Sequence, residues 1–271
     1  MDPSTPNTPM EYCRLTDIEI GRCITAFEKM EILPGSPITL LDDVSTPRSY
    51  RETVSVPIMS ALDHLRLVTG SVLGFKGTLP FAHATPLRTA LTVASTALWL
   101  MDGDNEKRSL RAAMLNYHDH KNYLIYLGLR PAERYPDLVE HQAEIGRRRD
   151  SFATEALALG VDVTDRHWKM PNDYDMTVAA AKMMDRSMWG DEWMPEVEIP
   201  SQWRMLSAYA HGLRWATAPG SVQSEPDLAG LASTTMTFSV DRLMESTNIA
   251  KAVVIAAMNR YYVLAGHTLM R

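Results

Sequence analysis

Three residues in the stretch from Ile199 to Trp215 have the types and spacing for chemistry: Arg204, Ser207 and His211. Pro200 and Ser201 read as helix-start signals, with Ser201 as N-cap. A helix turns about 100° per residue, so positions three, four and seven apart share a face. Arg204, Ser207 and His211 then form one row, continued by Arg214 or Trp215, while Met205, Leu206, Tyr209 and Leu213 cover much of the rest. An arginine neutralises phosphate charge, and a histidine near neutral pH moves a proton to or from a ribose hydroxyl or a leaving oxygen. Ser207, one turn before His211, would orient the ring or the phosphate. That set suits metal-independent phosphodiester cleavage. The plainer reading of the same row is structural, with His211 capping a hydrogen-bond network and Arg204 exposed near a helix start.

Other groupings are less chemical. Tyr117-His118-Asp119-His120 places its two histidines on different sides of a helix, whereas helical two-histidine metal sites use i, i+4 spacing. His141 and Glu144 lack the second Glu-x-x-His of di-iron bundles. A solvated polar face accounts for both groups. Asp42-Asp43 and Asp173 with Asp175 fall in predicted loops without a longer metal-binding pattern. Gly74 and Gly77 have no preceding strand and no following Lys-Ser/Thr, so they make no phosphate loop. No metal or cofactor is expected. Arg147-Arg148-Arg149 spreads round a helical turn as a solvated surface. Arg88 stands alone on a very apolar helix; burying a charge is costly unless it is paired. A structural ion pair is expected there.

The positioning elements are helices. At 271 residues, 45% hydrophobic and 22% charged, the chain can bury a sizeable core. Helices are predicted from a Thr16-x-x-Glu19 capping box, after Pro57, from Thr85-Pro86, from Glu106 to Leu129, from Pro136 to Leu159, from Met176 to Met188, over the Arg204 to His211 segment, and from Val240 to Leu269. The third, with Leu87, Leu91, Ala94, Ala97 and Leu98, is apolar nearly all round and belongs at the centre of the core. Gly160 reads as a helix stop. Eight helices and no alternating strand predict an all-α bundle in one domain over residues 11–271, after a disordered tail of ten residues. The net charge of −6 opposes a broad electrostatic grip on nucleic acid. Two cysteines, Cys13 and Cys23, suit a reducing cytoplasm, and no apolar run reaches the length of a membrane span.

The segment Pro86-Leu87-Arg88-Thr89-Ala90, continuing through Ala97-Leu98-Trp99-Leu100-Met101-Asp102 to Lys107-Arg108-Ser109-Leu110-Arg111, resembles uncharacterised all-helical proteins of actinobacteria and their phages. Those proteins also carry a Ser-x-x-x-His-Gly element, matched by Ser207 to Gly212. The Arg204 to His211 spacing is similar to the Arg-x4-6-His signature of HEPN domains. That resemblance implies a helical, homodimeric, metal-independent ribonuclease of toxin–antitoxin or phage-defence systems, with Arg204 and His211 as the catalytic pair and RNA as substrate. A different class also fits the sequence: a non-catalytic interaction protein binding a protein partner or antitoxin through Met183, Met184, Met188, Trp189, Trp193 and Met194, since adaptable apolar side chains suit binding surfaces. A third reading has Arg88 or Arg204 holding an anion between helices.

Overall fold

A computed structural model describes residues 8–44, 48–131, 134–185, 193–217, 221–223, 225, 234–236 and 240–268. Among the described residues there are ten helices: α1 (Pro9–Glu28), α2 (Pro37–Val44), α3 (Tyr50–Phe75), α4 (Pro80–Met101), α5 (Asn105–Gly128), α6 (Leu138–Ala158), α7 (Asp173–Ala181), α8 (Pro195–Ala210), α9 (Arg214–Thr217) and α10 (Val240–Leu264). Two three-residue strands, β1 (Ser221–Gln223) and β2 (Thr234–Met236), pair antiparallel. The fold class is the expected all-α one. No helix among the described residues is long and apolar enough to cross a membrane.

Helix starts differ from the expectation in one consistent way. The Thr16-x-x-Glu19 box lies inside α1, which is instead opened by Thr8, whose Oγ1 accepts the Glu11 N–H at 3.1 Å. Thr8-x-x-Glu11 has the same spacing one stretch earlier. Pro57, Pro86 and Pro200 are likewise interior, and α4 and α8 begin further back, at Pro80 and Pro195. In each of these two helices a second proline upstream takes the first-turn position, where the missing N–H costs nothing. Asp42 and Asp173 also sit on helices, α2 and the first turn of α7, where loops were expected. Helix stops follow the glycines. α6, α8 and α10 each end on a left-handed glycine: Gly160 (φ 86°), Gly212 (φ 66°) and Gly266 (φ 97°). In each case the residue after the glycine reaches back to the carbonyl five positions before it, as Leu213 N does to Ala208 O at 2.8 Å.

The chain divides into two compact units. One comprises Met1–Met30, Pro57–Trp99 and Asp173–Asn259. Its buried side chains include Ile20, Ile58, Leu62, Leu65, Leu206 and Tyr209, and α4 contributes Leu87, Leu91, Ala94, Ala97 and Leu98, as its apolar circumference predicts. Tyr12 donates to Asn248 Oδ1 at 2.6 Å, and burial pushes its pKa up to about 12. The second unit comprises Glu31–Val56, Leu100–Asn172 and Arg260–Arg271. There α5 packs on α6 around Phe152, which is fully buried with Ala113, Tyr117, Ala156 and Val163.

In this second unit the Asp102 to Arg111 segment forms the corner between α4 and α5. Asp104 caps α5 by accepting the Lys107 N–H at 2.9 Å. Lys107 Nζ and Arg111 Nη1 meet Asp102 Oδ2 at 2.9 and 3.1 Å. Buried Arg108 donates from Nε to the Met101 carbonyl at 3.1 Å and from Nη1 to Asn105 at 2.8 Å. Arg260 Nε also donates to the Met101 carbonyl, at 3.4 Å, so four cations gather on the carbonyl end of α4, where a helix dipole favours positive charge. Burial works to raise the Asp102 pKa, but the hydrogen bonds from Lys107 and Arg111 outweigh it and hold the carboxyl below its ordinary value. Burial also lowers the Arg108 pKa.

Candidate functional site

Helix α8 carries Arg204 and Ser207 but ends at Ala210, so His211 is its C-cap rather than an interior residue. Its backbone N–H donates to the Ser207 carbonyl at 3.1 Å. Gly212 then turns the chain, so Arg214 and Trp215 belong to α9 and do not extend the row. The Ser-x-x-x-His-Gly element therefore has a structural account: Gly212 supplies the left-handed residue that closes the helix. His211 and Arg204 are exposed, and Ser207 is half-buried. Seven residues of helix separate Arg204 from His211 by about 10 Å along the axis, on nearly the same face.

The Arg204 guanidinium lies over the Tyr174 ring, 4.1 Å from its centroid. Tyr174 in turn packs on Trp203 at 5.7 Å, and Arg88 covers the Trp203 ring at 5.2 Å. Trp203 Nε1 donates to Thr92 Oγ1 at 2.9 Å. The result is a cation–ring–ring–cation ladder linking α4, α7 and α8 within one unit. The expected ion pair of Arg88 is present, Nη2 to Asp173 Oδ2 at 3.7 Å, with the carboxylate supplied by the first turn of α7. A cation–ring contact spends none of the guanidinium's N–H donors on a hydrogen-bond acceptor. Among the described residues no ion pair or hydrogen bond engages its side chain or that of His211. Tyr174 and Trp203 escaped the sequence reading because the first lay in a predicted loop and the second is a ring beside the arginine. The only sequence signal was the aromatic neighbour of Arg204.

The remaining groups separate cleanly. His118 and His120 do point apart. His118 meets Asn122 at 3.3 Å, and His120, expected on a solvated face, is a buried side chain whose Nδ1 meets the Asn116 carbonyl at 2.8 Å and whose ring packs on Phe152. Glu144 pairs with Arg147 and Arg148 at 2.6 and 2.8 Å, and Arg149 with Asp150 at 2.6 Å, so the arginine triplet is matched by its own helix. His83 went unnoticed in the sequence. It is 2% exposed, its Nδ1 accepts the Leu79 N–H at 3.0 Å and its Nε2 faces Ser71 Oγ at 2.9 Å. Burial lowers its pKa and keeps the ring neutral.

The methionine–tryptophan group is mixed. Met184 is buried, Met183 and Trp193 are half-buried, Met194 is 54% exposed, and Met188 and Trp189 lie outside the described residues. Trp193 lines a cleft of about 610 Å³ with Met244 and Ile249, beside Glu198, Asp241 and Glu245. Groups of three or more metal-ligating side chains do not occur among the described residues. No family model matches the chain, and comparison with curated proteins and with solved structures gives no match.

Proposed function

We propose that this chain is an HEPN-like helical protein that cleaves RNA without a metal, using Arg204 and His211. The observation that supports the reading is the pairing of an accessible guanidinium and an accessible imidazole on one helix face, neither bound to a carboxylate. In this scheme Arg204, resting over the Tyr174 ring, neutralises the phosphate as charge builds on it. His211 takes the proton of the attacking 2′-hydroxyl or supplies one to the departing 5′-oxygen. One imidazole cannot perform both transfers at once. A second copy of the chain would supply the mate, which makes a homodimer part of the proposal. Host–phage conflict or toxin–antitoxin action is the setting that the resemblance implies.

The test incubates wild type, Arg204→Ala and His211→Ala with mixed cellular RNA in EDTA. Cleavage by wild type alone supports the pair; cleavage that survives His211→Ala sinks it.

A second reading has one specific observation in its favour. The Trp193–Met244–Ile249 cleft, flanked by three carboxylates, suits a partner that presents a basic, apolar segment. On that reading the protein is a non-catalytic regulator, and all three proteins in the cleavage test would be folded and inactive.

A further inference from the structure

The end of α5 and the start of α6 form a second site, wholly within one unit, that the α8 row does not involve. Tyr123 and Tyr126 stand one turn apart on α5 and stack with ring centroids 6.1 Å apart and planes 15° from parallel. Arg130, four residues on, lies 4.8 Å from the Tyr126 centroid and 5.2 Å from that of Tyr135, and it donates to the Tyr126 hydroxyl. His141, on the first turn of α6, meets the Tyr123 hydroxyl at 2.9 Å and packs edge-on to its ring. These side chains and Arg134 line a cleft of about 410 Å³, within the range of small-molecule sites.

Two features set the cleft apart from ordinary surface. Tyr123, Tyr126 and Tyr135 remain 39%, 47% and 42% exposed although aromatic rings gain much from burial. Neither Arg130 nor Arg134 has a carboxylate partner among the described residues, whereas the arginine triplet further along α6 is fully paired. Asp137 is the one carboxylate among the described lining residues, so with two guanidiniums that described lining is net positive, on a chain of net charge −6. Exposed rings favour a flat aromatic ligand, and guanidiniums that stack on rings without a carboxylate partner keep donors for a phosphate.

We propose that this cleft binds an unpaired nucleotide, with the base stacked on the exposed tyrosine rings and the phosphate held by Arg130 and Arg134. The proposal does not depend on cleavage at α8. The nucleotide could be free or part of a single strand, and the two sources separate by experiment. A fluorescein-labelled octadeoxyadenylate serves as probe, because without a 2′-hydroxyl it cannot be cut by the α8 chemistry. Fluorescence anisotropy in low salt is expected to show binding that weakens about tenfold in Tyr126→Ala and in Arg134→Ala, in line with one lost stacking or phosphate contact. Tyr126→Phe keeps the ring and should stay within about twofold of wild type. Arg147→Gln, on the paired face of α6, tests for mere surface charge. Circular dichroism confirms that each variant is folded.

Displacement of the probe by AMP assigns the site to free nucleotides, and failure of AMP to compete assigns it to single strands. Absence of binding overturns the proposal, as does equal weakening by Arg147→Gln or displacement by polyglutamate as effective as by unlabelled strand. A protein that binds the strand but cleaves no RNA keeps this inference and removes the α8 reading. A nuclease whose strand binding ignores the cleft variants does the reverse.

Discussion

The corner between α4 and α5 and the end of α8 are built from the same side-chain types, and the protein uses them in opposite ways. At the corner, Lys107, Arg108 and Arg111 are committed to Asp102, to Asn105 and to the carbonyl of Met101. At α8, Arg204 rests on the Tyr174 ring and His211 closes the helix through its backbone, with both polar ends facing solvent. A cation engaged by a carboxylate or a carbonyl holds the fold; one whose donors meet no protein acceptor can receive a ligand. The contrast teaches that a row of polar residues is a candidate for chemistry where its polar groups have no structural partner.

The comparison can be broken most sharply at His211. Replacing it with Ala should reduce RNA cleavage by about 100-fold or more, the usual worth of a positioned acid or base, and leave the thermal midpoint close to wild type. A large loss of stability in His211→Ala would move that residue to the structural side of the contrast. Arg108→Ala should do the opposite. It removes a charged hydrogen-bond donor from a buried carbonyl and is expected to cost about 2–3 kcal/mol by denaturant unfolding. Unchanged stability would show that Arg108 does not hold the corner.

Gly212→Ala sharpens the account of the Ser-x-x-x-His-Gly element. No atom lies within 4 Å of the added methyl, so the cost is the left-handed backbone alone, about 1 kcal/mol and a fall of roughly 2 °C in the midpoint. A neutral effect would mean that the glycine is not there to stop the helix. The smallest effect concerns His83, a second histidine of the same unit. His83 is buried and its pKa is lowered by burial, so the unfolded chain binds its proton more readily than the folded one. Its contribution is complete above the ordinary histidine value of about 6.5 and declines as pH falls from there through the lower folded value. The stability difference between wild type and His83→Gln should shrink over that window. A difference that stays flat with pH would show that the buried ring does not titrate with folding.

Much of the architecture was legible in the residues. The apolar circumference of α4 predicted its burial, Gly160 predicted the end of α6, and lone Arg88 predicted an ion pair that Asp173 supplies. Helix starts were less legible, because Pro57, Pro86 and Pro200 drew attention away from starts one to two turns earlier. Short α2 leaves little helical signal in the sequence, since eight residues barely establish a period. In the candidate site, residue types and helical row were visible for Arg204 and Ser207, but the break at Gly212 changed what His211 is.

The sequence by itself determined that this protein is helical, which faces of its helices are buried, and which glycine ends α6. Those properties depend on neighbours three and four residues apart, so periodicity records them. Only the tertiary structure decided that Arg108 is spent on a helix end, that Arg204 lies on Tyr174 thirty residues before it, and that Arg130 lies between Tyr126 and Tyr135 where two helices turn. Whether a cation is committed depends on which groups arrive from distant chain and how much water they displace. Local spacing carries no record of that.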